Sequence, residues 1–260
     1  MHRLTWFRLV LITLPIILTA ILLAAIISLV LVPSPGEIWA SLLSKEMLFS
    51  LKLTVWTSLL STFLVFIVSV PTGYSLSRID FWGKSIVKAI IDLPIAFPEL
   101  VLGLCLLLLF GHPVIQESLR AIGLDFVFTK QGIVIAQFFT ALPYAVRIIK
   151  STFDFINPRR EFVSRSLGYS MFETFINVSL PLAKNGLLAA TIIAFARSID
   201  TFGTVLILAG GSYMQTEVLP ITLYLNVSYG NMPMAITSGI ILVIVSFIAI
   251  LVFEKSEASI

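Results

Sequence analysis

Arg197 and Asp200 stand three positions apart inside an otherwise apolar run, and no other pair in this 260-residue chain is as costly to place. On a helix they share a face, where they can neutralise each other as an ion pair. The other use of the guanidinium is to guide an anion, with Asp200 and Thr201 beside it. Asp92 and Glu99 lie two helical turns apart, so a continuous helix would put both on one face, suited to packing or a hinge. His2 and His112 are far apart and match no metal-ligand spacing. Gly83-Lys84-Ser85 has Arg78 where a phosphate-binding loop needs its first glycine, and no buried strand precedes it, so nucleotide binding is not expected. No His-Glu-x-x-His or Gly-x-Ser-x-Gly pattern occurs. No catalytic residue, metal site or cofactor is expected on this chain.

The elements that must carry these residues are set by composition. Hydrophobic residues make up 58% of the chain and charged residues 12%, against about 25% charged in a soluble domain. Lipid is the natural solvent for such a chain. Leu9 to Val32 and Leu53 to Ser77 are charge-free and long enough to cross a bilayer core, which takes about 20 residues of helix. Ala89 to Phe110 forms a third span interrupted by Pro94 and Pro98, which should kink it. The fourth lies within Lys130 to Lys150, the fifth runs from about Gly186 to Leu208, and the last from Pro233 to Phe253. The fifth, read as one helix, places Arg197 about 16 Å from its start, near mid-membrane. A charge there costs about 2.5–3.5 kcal/mol and must face protein or water. The expectation is an all-α polytopic membrane protein of about six transmembrane helices, with residues 1–260 forming one membrane domain.

The first apolar run is too long for a cleaved signal peptide, and Val32 to Pro35 lacks a small-residue cleavage site, so it is read as a retained span. Twelve Lys and Arg residues fall in the segments placed inside when the N-terminus is inside, and four (Lys45, Lys52, Arg120, Lys130) in those placed outside. Both termini are therefore expected in the cytoplasm. The net charge of +3 comes from these boundary residues and gives no reason to expect nucleic acid. Cys105 is the only cysteine, so no intrachain disulfide forms. The Asn177-Val-Ser and Asn226-Val-Ser glycosylation patterns carry no weight, since the first is expected inside.

The longest hydrophilic stretch, about 150–186, falls on the cytoplasmic side between spans four and five. Asn157-Pro158 starts a helix, Gly168 breaks it and Leu180-Pro181 signals a second stop. Two short amphipathic helices should lie on the membrane surface, and their Phe162, Val163, Leu167, Phe172, Phe175 and Ile176 need a partner or the bilayer interface to cover them.

This stretch resembles the signature cytoplasmic loop of prokaryotic ABC-importer permeases: Glu-Ala-Ala, three residues, Gly, nine residues, Ile, any residue, Leu-Pro. Gly168, the nine-residue gap, Val178, Leu180 and Pro181 match in spacing, and Phe162-Val163-Ser164 occupy the Glu-Ala-Ala positions with Glu161 one place early. Pro71 to Arg78, Phe81 to Lys84, Asp92 to Pro94, Pro98, Gly103, Phe110-Gly111, Arg197 to Gly203 and Leu219 to Tyr224 are similar to the molybdate, tungstate and sulfate branch. Thr201-Phe202-Gly203, after Asp200, stands where that branch commonly has Glu-Phe-Gly. The resemblance implies the type I ABC importer permease fold in a prokaryotic plasma membrane. It further implies a homodimer with the pathway between the copies, two cytoplasmic ATPase subunits, and an external oxyanion-binding protein. The loop residues Glu161, Phe162, Leu167, Gly168, Phe172, Val178, Leu180 and Pro181 would couple to the ATPase, and Arg197, Asp200 and Thr201 would border the pathway. Molybdate or tungstate is the expected cargo, then sulfate, then another small solute. A secondary transporter is the rival class, though no duplicated halves or proton relay are visible. A membrane enzyme and a non-transporting assembly subunit are further alternatives.

Overall fold

A computed structural model describes residues 2–257. Met1 and residues 258–260, the chain ends expected in the cytoplasm, lie outside the described residues. The described chain is helical, in the order α1 (His2–Leu31), α2 (Pro35–Leu42), α3 (Lys45–Arg78), α4 (Lys84–Ala96), α5 (Glu99–Phe110), α6 (Pro113–Ala121) and α7 (Lys130–Phe155), then α8 (Arg159–Ser166), α9 (Met171–Thr174), a π turn (Phe175–Ser179), α10 (Leu180–Asp200), α11 (Gly203–Leu208), α12 (Leu219–Ser228) and α13 (Met232–Glu257). Five helical rods among the described residues are long and apolar enough to cross a membrane, and counting the bent α4–α5 pair gives six.

The helices pack through small residues. One face of α3 carries Ser50, Thr54, Thr57, Ser58, Ser61 and Ser69, all buried. Lipid chains are as apolar as any side chain, so helices in a membrane associate by close packing rather than by escape from water, and small side chains permit it. The threonine hydroxyls are internally satisfied: Thr54, Thr57 and Thr62 each donate to the carbonyl one turn back, at 2.6, 2.9 and 2.7 Å. Against this face sits α7, with Ala141, Ala145, Ile149 and Phe153 buried, and beside it α10, with Ala183, Leu187, Ala190 and Ala194. A second core joins α3, α5, α7, α11 and the start of α12 through Leu106, Ile133, Val205, Leu208 and Ile221. In contrast α1 buries none of its apolar window and presents a lipid-compatible surface all round.

Three expectations about continuity are corrected. The third span does not merely kink: α4 and α5 are bent by 117° at Phe97-Pro98, so Asp92 and Glu99 do not share a face. Pro98 pushes Phe97 out of the helical region, and its extended backbone (φ −113°, ψ 158°) turns the chain. The fifth span is also interrupted, with α10 ending at Asp200 and α11 starting at Gly203. Arg197 is thus in the last turn of α10 rather than mid-helix, where a cation also complements the negative end of the helix dipole. Leu180-Pro181 does not stop a helix. The rod runs unbroken from Met171 to Asp200 because the π turn widens just before the proline, with the Leu180 N–H reaching back to the Phe175 carbonyl. The second amphipathic helix is consequently the root of a spanning rod and not a separate surface helix.

Candidate functional site

Two clusters of polar side chains sit at opposite ends of α10. The first is built around Glu161. Asn157 prepares its place, its side-chain oxygen accepting from the Arg159 N–H at 2.9 Å, and α8 starts there. Two residues on, the Glu161 carboxylate turns inward and is 9% exposed. It accepts from Arg78 Nε at 3.0 Å, Ser179 Oγ at 2.9 Å and Tyr74 OH at 3.3 Å. Arg78 also donates from Nη2 to the Ile156 carbonyl at 2.6 Å. One carboxylate from α8 therefore binds the end of α3 and the root of α10, and Arg78 adds the turn after α7. The Tyr74 ring is fixed by Phe153 and Phe175, with centroids 5.1 and 4.7 Å away. Ser164 and Thr174 face each other hydroxyl to hydroxyl at 3.1 Å, closing α8 onto α9.

Gly168 makes the turn between α8 and α9 with φ +98°, a conformation that favours glycine. An added Cβ would meet nothing within 4 Å, so the constraint is the backbone itself and not a neighbouring side chain. Ser170 then caps α9 as half of a capping box with Glu173. The outer face of this element is apolar and bare: Phe162 is 66% exposed, Leu167 75% and Phe172 72%. Val178 and Leu180 are half-buried, Leu180 against the core of α3, α7 and α10, while Pro181 is exposed. The predicted residues thus divide into an inward anchor, Glu161, a turn at Gly168, and an outward apolar face.

The second cluster lies where α10 breaks. Arg197 Nη1 pairs with Asp200 at 2.9 Å, as the spacing suggests, and Nη2 approaches Glu99 at 3.5 Å. The guanidinium lies over the Tyr144 ring, 4.8 Å from its centroid, and its buried Nε has no partner. Glu99 Oε2 accepts from the Phe202 and Gly203 N–H groups at 3.1 and 3.0 Å. Those are donors the helix break leaves free, so Glu99, from α5, caps α11. Gly203 is required by this approach, since a Cβ there would fall 2.9 Å from Glu99 Cβ. Thr201 is fully buried and donates to the Arg197 carbonyl at 2.6 Å, tying off the end of α10. Glu99 and Tyr144 were not singled out with Arg197 from the sequence, and Asp92 instead lines a separate recess with Lys88, Arg147 and Lys150.

The family described as the binding-protein-dependent transport system inner membrane component matches residues 66–258. The chain belongs to it. The match starts within α3 and takes in both clusters; α1 and α2 precede it. Among this permease family's curated members, the molybdate/tungstate transport system permease protein WtpB of Methanocaldococcus jannaschii is 34% identical, over 84% of this chain and 85% of its own length. The sulfate transport system permease protein CysT of Escherichia coli is 28% identical over 84% of this chain and 79% of its own. The permease fold recurs in a bacterial alginate ABC transporter (TM-score 0.68, 18% identity, 93% of this chain and 94% of that one) and in the MetNI methionine ABC transporter (TM-score 0.61, 19% identity, 83% and 99%). The expected family and fold class are thereby established: this is a multi-pass ABC importer permease.

Proposed function

We propose that this permease carries an oxyanion, molybdate or tungstate, through a pathway between two copies of itself, with ATP hydrolysed on two separate cytoplasmic subunits. The observation that carries the coupling is the Glu161 cluster. A partner seated on Phe162, Leu167 and Phe172 can move α8 and α9 only by moving α3 and α10 as well, because Arg78, Tyr74 and Ser179 all bond to the same carboxylate. The π turn joins α9 to α10 without a break. Displacement at the loop is then delivered along 21 residues of α10, about 30 Å, to the Arg197 cluster. There α10 is fastened to α5 by Arg197–Glu99.

Arg197 acts in this account as the fastening of the break rather than as an open anion ligand. It meets two carboxylates, Asp200 and Glu99, so its charge is already engaged by groups of the chain and is not free to hold an oxyanion. Asp200, which is exposed, borders the pathway, whereas Thr201, buried inside the chain, does not line it and acts only by tying off the end of α10. An external binding protein delivers the cargo, and both termini and the 159–181 loop face the cytoplasm. The cargo assignment is supported by the WtpB similarity; the CysT similarity supports sulfate as the second choice.

The test is uptake in liposomes holding the permease with its ATPase and loaded binding protein. Radiolabelled molybdate should accumulate only with ATP inside, tungstate should compete, and sulfate should compete poorly. Competition by sulfate equal to that by tungstate moves the assignment to sulfate, and uptake driven by an ion gradient without ATP ends the proposal.

A further inference from the structure

The recess between α4 and α7 is used by neither cluster. It has a volume of about 210 Å³, room for a small anion among several waters at roughly 30 Å³ each. Lys88 and Asp92 line it from α4, and Arg147, Lys150 and Asp154 from α7, over a floor of buried Leu76 and Val146. Its charges are not all matched. Asp154 is engaged twice, by Lys150 and by Ser77 Oγ at 2.6 Å. Among the described residues, neither Lys88 nor Arg147 forms an ion pair, and neither does Asp92. Three cations stand against two acids, so one positive charge stays in excess whichever cation Asp92 turns to.

We propose that this recess binds one tetrahedral oxyanion between Lys88 and Arg147, as the last station of the cargo before the cytoplasm. A guanidinium offers parallel N–H donors that match two oxygens of such an anion, and the Lys88 ammonium adds a point charge for a third. Two features aim the site at a dissolved anion rather than at lipid. Lys88 and Asp92 share one face of α4, while Ile86, Ile90 and Leu93, all exposed, take the opposite face. The lipid-compatible face of α4 is thus turned away from the recess. On α7, Tyr144, Arg147 and Ser151 fall at i, i+3 and i+7, so Arg147 sits one turn nearer α8 than the ring that Arg197 covers. The recess and the Arg197 cluster therefore share a face of α7. They differ in charge state: Arg197 is engaged by two carboxylates, whereas Lys88 and Arg147 are held by none. Asp92 keeps the affinity low, and an exit site must release what it holds. The place on the route rests on the proposed function and its topology; the anion site itself does not.

The measurement is the melting temperature of the purified full-length chain in detergent against molybdate concentration, at ionic strength fixed with sodium chloride. The wild-type melting temperature should rise with molybdate, and with sulfate in its place. In Lys88→Gln and in Arg147→Gln the concentration needed for a given rise should increase about fivefold. In Asp92→Asn, which removes the opposing charge, it should fall by a similar factor. The opposed signs separate an anion site from a structural role, since damage to the fold would weaken binding in all three. No rise in wild type overturns the proposal, as does a rise unchanged in both Lys88→Gln and Arg147→Gln. So does a wild type stabilised by phosphatidylglycerol in the micelle but not by molybdate, with the effect lost in Arg147→Gln, which makes the recess a lipid-headgroup site. Both cations are exposed, and if either variant fails to fold, the sign of the Asp92→Asn effect still decides the matter. Neither the ATPase nor uptake enters these readouts, so a failed liposome assay leaves them standing, and loss of this site leaves the cargo assignment untouched.

Discussion

At the scale of single residues, Glu161 and Arg197 carry most of the weight, and their environments predict different mutational behaviour. Arg78→Leu strips the cation from a buried carboxylate and should destabilise the chain by about 3–5 kcal/mol, read as a drop in melting temperature in detergent. Glu161→Gln keeps the acceptor oxygen and should assemble with the ATPase, but with uptake reduced more than hydrolysis, because Arg78 is then held by one neutral oxygen. Equal losses of both activities would argue against a transmitting role. For Arg197 the decisive pair of variants is Arg197→Leu and the double Arg197→Leu with Asp200→Leu. The single change leaves two carboxylates facing each other and should lower the yield of folded protein sharply. The double change should recover it, because Glu99 retains its two backbone N–H donors. Recovered transport in the double variant supports a fastening role, and recovered folding without transport points to a direct role for the guanidinium. The Arg197–Asp200 pair was legible from its spacing alone, since three residues on a helix is a local relation. Glu99 was not, because its contact with residues 98 to 104 positions away depends on a bend that local sequence only hints at. Glu161 was legible as the near match to a motif acid, whereas its partners Tyr74 and Arg78 come from α3 and carry no local sign of it.

At the scale of elements, the loop from α8 to α9 is defined by its one positive-φ glycine. Gly168→Val places a β-branched residue at φ +98°, which costs on the order of 1–2 kcal/mol locally and reorients α8 against α9. The spans are untouched, so membrane insertion should be normal while ATPase co-purification or coupled uptake falls. Gly168→Asn, which tolerates the left-handed region better, should recover much of both. Normal uptake in Gly168→Val would remove this loop from the coupling path. The turn at Gly168 and the helix start at Asn157-Pro158 were readable because Gly and Pro act through local backbone sterics. Ser170-Met-Phe-Glu173 also spells a capping box, a start signal that marks the second helix. What the local code misjudged was Leu180-Pro181: a proline forbids the ordinary i to i−4 bond, but a π turn sidesteps it, and that outcome depends on the packing of Phe175 and Ser179. The same limit applies at Phe97-Pro98, where the prolines gave the position of a bend but not its 117° size.

At the scale of the whole molecule, hydropathy fixed the class because a chain with so few charges has one compatible solvent, and the charge asymmetry gave the expected orientation. In a Cys105→Ser background, cysteines introduced at 159–184 should label from the cytoplasm only, and those at 34–44 and 113–125 from outside only. Reverse labelling would remove the loop from the ATPase side. The bare apolar faces of α1 and of the 159–172 segment were legible as apolar runs in need of cover, whereas the residues of α3 and α10 that anchor the segment from inside were not. The central claim, that the loop is where the ATPase takes hold, is tested most directly by contact. With Leu167→Cys carrying a thiol-linked photo-cross-linker in the same background, illumination of the reconstituted complex should join the permease to its ATPase, in a yield that changes when ATP is bound. A complex that transports and hydrolyses ATP normally, yet yields no permease–ATPase adduct from position 167, would contradict it.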